Sequence, residues 1–204
     1  MEQTLDSAVH LFTKRQNNIL DVAARIFAER GFSGTDVQLI ADAAEVGKGT
    51  VYRNFGTKEE LFLAAVDSEM RVLTEVLLEA SERESDPLDS LRAVVRSYLA
   101  HIESNPRAVE LLIVERAVFK DRAESTYIRY KESLRGYWEE LMSRLVENGT
   151  FRALPPHRIF DLISDTLYGV IFTNHFANCH ESCEEQAEAI LDMFMNGFMQ
   201  ERDT

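Results

Sequence analysis

Gly31–Phe62, GFSGTDVQLIADAAEVGKGTVYRNFGTKEELF, is the stretch whose reading decides the fold. Leu39, Ile40, Ala43 and Ala44 repeat at helical spacing and predict a first short helix with one buried face. Val46, Val51 and Phe55 do the same for a second, and Glu45-Val46-Gly47 leaves only a tight connection between them. Two short helices across such a turn form a helix-turn-helix. In that unit the second helix enters the DNA major groove with its first turns toward base edges. Here those turns read Gly47-Lys48-Gly49-Thr50-Val51-Tyr52-Arg53-Asn54, nearly all small or hydrogen-bonding, and a further helix opens at Lys58. The stretch predicts a DNA-binding protein.

Gly31-Phe32, Thr35, Ile40-Ala41, Ala44, Val46, Lys48-Gly49-Thr50, Tyr52, Phe55 and Lys58-Glu59-Glu60-Leu61-Phe62 together resemble the DNA-binding domain of the TetR family of one-component bacterial regulators. Ile19-Leu20, Ala23-Ala24 and Phe27-Ala28 are similar to that family's first helix, so the resemblance runs from about Lys14 to Phe62, roughly a quarter of the chain. One position departs: Glu45 stands where the family usually has Gly. A positive φ there costs a Glu on the order of 1 kcal/mol relative to Gly.

The resemblance implies that the Tyr52 hydroxyl and the Lys58 ammonium meet DNA phosphates. Outside such a motif Tyr52 is a packing aromatic, and Lys48 and Arg53 are ordinary solvated charges. Within a recognition helix Lys48 becomes a candidate phosphate contact, and Arg53 a base contact, since Arg pairs bidentately with guanine. Gly49 lies between them. Thr50 and Gln38 are further candidates for base edges, and Asn54 for either role. Thr35 is placed to cap the first helix of the motif and to aim backbone N–H groups at phosphate.

A net charge of −13 contradicts DNA binding until it is divided along the chain. Through Val66 there are seven Lys or Arg against nine Asp or Glu; the remaining 138 residues hold fifteen against twenty-six. The acid lies outside the motif, so binding rests on a local basic surface from Lys14, Arg15, Lys48, Arg53 and Lys58. At 204 residues, 45% hydrophobic and 28% charged, the composition is that of a globular protein with a real core. No apolar run reaches 18 residues and MEQTLDSAVHLFTKR has no signal-peptide core, so a cytoplasmic protein away from membranes is expected. Cys179 and Cys183 offer no disulfide framework.

Past the motif the pattern is helical throughout, giving an all-α chain. It divides into an N-terminal three-helix DNA-binding domain over residues 1–57 and a C-terminal ligand-binding and dimerisation domain over 58–204. Thr57 caps a helix from Lys58 to about Ser81. Asp86-Pro87 opens the next, with Leu91, Val94-Val95, Tyr98 and Ile102 on one face. Asn105-Pro106 begins another, and a single long helix is expected from about Asp121 to Glu147, ended by Gly149-Thr150.

The last two helices, about Pro156–His180 and Glu184–Gln200, are the most apolar. Ile163, Leu167 and Ile171, with Ile190, Phe194 and Phe198, follow helical spacing, and Gly169 permits close approach. TetR-like proteins pair these helices across a two-fold axis, so the resemblance implies a homodimer using these residues and matching a palindromic operator in double-stranded DNA. In the middle of the chain Tyr98, His101, Phe119, Tyr127, Tyr130, Tyr137, Trp138, Tyr168, Phe172 and His175 form an aromatic set suited to an apolar effector cavity, with Arg96 and Arg116 as orienting charges. His175, Cys179 and Cys183 stand at i, i+4, i+8 with His180 adjacent, but a structural zinc site wants four closed ligands, so no metal and no cofactor is assigned. No phosphate-cradling loop or nucleophile elbow is present, which argues against an enzyme. The expected function is a repressor released from its operator by a small apolar or aromatic effector. The alternative is a similar DNA-binding protein controlled by a protein partner, or acting in chromosome organisation.

Overall fold

Side-chain oxygens on Thr13, Asp36, Asp86 and Ser125 accept the backbone N–H groups that open four of the helices, so much of the segmentation is set by caps. The computed structural model describes residues 12–177 and 182–198, with side chains through 196. Among the described residues ten helices follow in order. They are α1 (Lys14–Arg30), α2 (Val37–Ala43), α3 (Lys48–Phe55), α4 (Lys58–Glu82), α5 (Pro87–Ser104), α6 (Arg107–Val118), α7 (Thr126–Ser133), α8 (Arg135–Glu147), α9 (Pro156–Ala177) and α10 (Cys183–Phe198). The all-α architecture expected from the sequence is the one observed.

The chain forms two compact units, the first ending at Ser68 and the second beginning at Glu69. The division thus falls inside α4 rather than before it, because Leu61, Phe62, Ala65 and Val66 are buried with the helix-turn-helix. In this first unit Phe62 meets the Phe27 ring edge-on at 5.1 Å and Phe32 at 5.6 Å. Such aromatic pairs contribute beyond their burial alone. The buried face of α2 is Val37, Ile40 and Ala41, not the Leu39 and Ala43 of the periodic reading, both of which are exposed. A seven-residue helix packed across α1 buries less than a full stripe.

The α2–α3 turn closes with the Val46 N–H donating to the Ala41 carbonyl at 2.9 Å, and Glu45 takes the left-handed conformation at φ 55°. This is the geometry that favours Gly at the end of a helix. The Asn18 amide donates to the Ala44 carbonyl at 3.3 Å and ties the turn to α1.

In the second unit α8 packs on α9 and α10 on α5. The expected long helix over 121–147 is two helices, α7 and α8, preceded by a non-helical segment. The cause is Glu115, 2% exposed on α6. Its carboxylate accepts the Thr126 backbone N–H at 3.0 Å, the Thr126 hydroxyl at 2.8 Å and the Arg122 guanidinium. A buried carboxylate demands such partners, and providing them draws residues 122–126 out of helix. Leu134, at φ −104° and ψ 3°, then separates α7 from α8. Apolar spacing runs through both breaks, so periodicity alone missed them.

Replacing Glu45 by Gly relieves the left-handed strain. Urea unfolding of Glu45→Gly is expected to show a gain of about 0.5–1 kcal/mol. An unchanged or lower stability contradicts the account of the turn.

Candidate DNA interface and effector cavity

Gly47 opens α3 without a side-chain cap, so the first N–H groups of this helix carry no capping oxygen. Around them stand the predicted DNA contacts, exposed but partnered within the domain. The Lys48 ammonium donates to the Asp36 carboxylate at 2.9 Å, the Arg53 guanidinium to the Thr50 hydroxyl at 3.2 Å and the Asn54 amide to the Thr50 carbonyl at 2.7 Å. Gln38 donates to Asp42 at 2.7 Å. Lys58 lies 4.6 Å from the centre of the Phe32 ring. Tyr52 is exposed on the helix and Gly49 adds no bulk beside it.

Thr35 is not the cap of α2. Asp36 holds that position, accepting from the Gln38 N–H at 2.8 Å, while Thr35 is buried and its hydroxyl donates to the Gly31 carbonyl. The Asp36 carboxyl is held below the usual carboxylate range, first by the Gln38 N–H and then by Lys48. Asp36 in turn raises the Lys48 ammonium.

The second unit contains a cavity of about 110 Å³ among α4, α5, α7, α8 and α9. Of the predicted effector residues Tyr98, Tyr127 and Trp138 line it, with Tyr130 beside them. Sequence reasoning missed Met70, Leu73 and Leu77 of α4, Met142 of α8 and Phe160 of α9. They read as ordinary stripe positions, and only the packing of five helices leaves a gap between them.

Other predicted residues lie elsewhere. Arg96 pairs with Glu184 and Glu188 on α10, and Arg116 is exposed and donates to the Lys120 carbonyl. A charge drawn outward by acidic partners does not line an apolar wall. Phe119 ends α6 away from the cavity. His101 is half-buried and its imidazole is held below its usual range by desolvation. Tyr168 and Phe172 form a ring stack with Tyr127, at 4.2 and 4.6 Å between successive centres, behind the cavity wall. His175 accepts or donates a 2.7 Å bond with Glu110 and lines a separate cavity of about 180 Å³ together with Cys183. Among the described residues no His, Cys, Asp and Glu group is arranged to hold a metal ion, and Cys179 and His180 lie outside them.

The dimer residues also need correction. Ile163, Leu167, Ile171, Ile190 and Phe194 are buried within the single chain, and the Phe198 side chain lies outside the described residues. Strong apolar periodicity marked the face turned to the chain's own core. No Cβ at Gly169 would meet another atom within 4 Å, so this glycine serves no close approach inside the chain.

The class of protein is thus a helix-turn-helix protein joined to a helical unit with an apolar cavity. Residues 19–65 match the family described as bacterial regulatory proteins, tetR family. The HTH-type transcriptional repressor KstR2 of Rhodococcus jostii is 30% identical over 160 residues, covering 76% of each chain. The fatty acid degradation regulator FadR from Bacillus halodurans has a similar fold, with TM-score 0.76 at 20% identity over 91% of this chain and 97% of that one. FadR from Bacillus subtilis, solved in complex with stearoyl-CoA, gives 0.72 at 18% identity over 89% and 98%. The chain belongs to the TetR family and is a DNA-binding transcriptional regulator, not an enzyme. Among the described residues no helix is long and apolar enough to cross a membrane.

Asn caps a helix as well as Asp, so Asp36→Asn keeps α2 while releasing Lys48 for phosphate. Operator affinity is expected to rise, with the salt dependence steeper by about 0.9 for each further phosphate neutralised. A fluorescence-anisotropy salt series checks this, and an unchanged slope means Lys48 meets no phosphate.

Proposed function

We propose that this regulator is a dimeric repressor that binds a palindromic operator and leaves it when an acyl-CoA or similar apolar effector fills the cavity of the second unit. The observation that carries the reading is the cavity, walled by aliphatic and aromatic side chains and bordered by Tyr98 and Lys131. Sites of this character take apolar ligands and orient them with a few polar groups. The stearoyl-CoA held by the B. subtilis relative supports a thioester-borne acyl group as the effector class. In the DNA complex Arg53, Thr50 and Gln38 face base edges, while Tyr52, Lys58, Lys48 and the α3 N-terminus hold phosphates. The bonds from Lys48 to Asp36 and from Gln38 to Asp42 are exposed and exchange for nucleic acid.

Control runs through α4, one continuous helix whose residues Met70, Leu73 and Leu77 line the cavity and whose first turn carries Lys58. An effector acts only by binding one conformer more tightly, typically by ~1–3 kcal/mol. Titrating the operator complex with acyl-CoAs of graded chain length is expected to release DNA over a limited range of lengths. If saturating acyl-CoA of every length leaves operator affinity unchanged, the effector class is wrong.

For the dimer, the face of α9 left outward is Leu162, Thr166, Gly169, Thr173 and Phe176, spaced alternately by four and three residues. That is the heptad spacing of paired helices. Leu162 is 49% exposed and Phe176 68%, and on α10 Met193 is 53% exposed. Gly169, free of neighbours, suits close approach by a partner helix. Leu162→Asp with Phe176→Asp is expected to give a folded monomer with weak operator binding by sedimentation and circular dichroism. Charges at the buried Ile190 and Phe194 unfold the chain instead. A dimer that survives both surface charges overturns this interface.

A further inference from the structure

Most buried polar side chains of the second unit have their partners. Glu115 accepts from Thr126 and Arg122, Glu69 from Asn105 and Arg107, and Ser90 donates to the Ser81 carbonyl. Tyr98 differs. It is 5% exposed on the wall of the 110 Å³ cavity, and its hydroxyl has no hydrogen-bond partner. Beside it the Tyr127 hydroxyl donates to the Ser164 carbonyl at 3.4 Å, and Tyr127 and Ser164 also line the cavity. Leaving a buried hydroxyl unmatched is unfavourable, and here it occurs at the one polar corner of an apolar space that fits a ring of about six atoms.

We propose that the effector carries a neutral carbonyl or hydroxyl oxygen on its apolar body, and that the Tyr98 hydroxyl is the hydrogen-bond partner for that oxygen. This rests on the cavity being the effector site. A plain alkyl chain fills the space and leaves the hydroxyl unmatched, whereas an oxygen at this corner satisfies it. A carboxylate does not suit the corner. Lys131, 10% exposed, already faces Asp165 at 2.7 Å and Asp161 at 3.4 Å, and Arg135 faces Glu132, Glu139 and Asp161. Two cations against four carboxylates leave this wall negative, so an additional anion is repelled. Burial also drives both phenols above their ordinary range, which keeps them neutral donors at physiological pH.

Cyclohexanone and methylenecyclohexane are matched in shape and differ in an oxygen against a CH₂ group. Both are titrated by ligand-observed NMR into the full chain and its Tyr98→Phe variant, and the ligand-free proteins are melted in parallel. Tyr98→Phe is expected to weaken cyclohexanone about three- to tenfold, the range of one net hydrogen bond, and to leave methylenecyclohexane within about twofold. The ligand-free variant is expected to melt at the same temperature or higher, since an unmatched buried hydroxyl has been removed. A lower melting temperature overturns the inference, because the hydroxyl then had a partner in the free protein. So does an equal effect of the substitution on the two probes. Failure of the wild-type chain to bind either probe removes the cavity as a ligand site, and both this inference and the effector reading fall with it. Binding of both probes without discrimination at Tyr98 leaves the effector reading standing and overturns only the oxygen anchor.

Discussion

Helix α4 has to satisfy two hydrophobic cores with one stripe of side chains. Its first turns bury Leu61, Phe62, Ala65 and Val66 in the helix-turn-helix unit, where Phe62 completes the ring cluster with Phe27 and Phe32. Its later turns bury Met70 and Leu73 in the second unit. Helices gain most of their stability from tertiary packing of such a face rather than from local propensity. The length and register of α4 therefore serve both units, and its start is held by a reciprocal cap, Thr57 accepting from the Glu60 N–H and Glu60 from the Thr57 N–H.

Polar burial in the second unit follows one rule with an informative exception. Glu115 shows how strongly a buried carboxylate shapes its surroundings, since meeting its needs interrupts helix over 119–125 and sets the start of α7. Glu69 is met in the same way by Asn105 at 2.6 Å and Arg107 at 2.9 Å. Against that background an unmatched phenol on a cavity wall stands apart as a place prepared for a ligand atom. Apolar walls provide affinity by area, while one directed hydrogen bond discriminates among molecules of similar shape.

Electrostatics separates the two tasks of the molecule. The net charge of −13 is carried chiefly beyond Val66, so general attraction to DNA is weak and contacts must be local and oriented. Even in the DNA-binding unit Lys48 is engaged by Asp36 and Gln38 by Asp42. Both pairs are exposed, where ion pairs and hydrogen bonds contribute little to stability. They position the side chains without holding them against a competing phosphate or base.

How much of this was legible in the sequence follows from the range of the interactions involved. The helix-turn-helix, the Asp86-Pro87 start of α5 and the demand for a left-handed residue at Glu45 are local matters of spacing, caps and backbone angles, and the structure shows each where the residues indicated. The same locality misled where an equally good local candidate competed, as with Thr35 beside Asp36. Apolar periodicity told which faces of α9 and α10 are buried but not against what, so Ile163, Leu167 and Ile171 were assigned to a partner although the chain's own core covers them. The break made by Glu115, the cavity between five helices and the unmatched hydroxyl of Tyr98 were likewise out of reach. Sequence alone determined the helices and the DNA-binding motif, because those depend on residues a few positions apart. Only the tertiary structure decided the partners of buried polar atoms and the shape of the space between helices, because both depend on side chains brought together from distant parts of the chain.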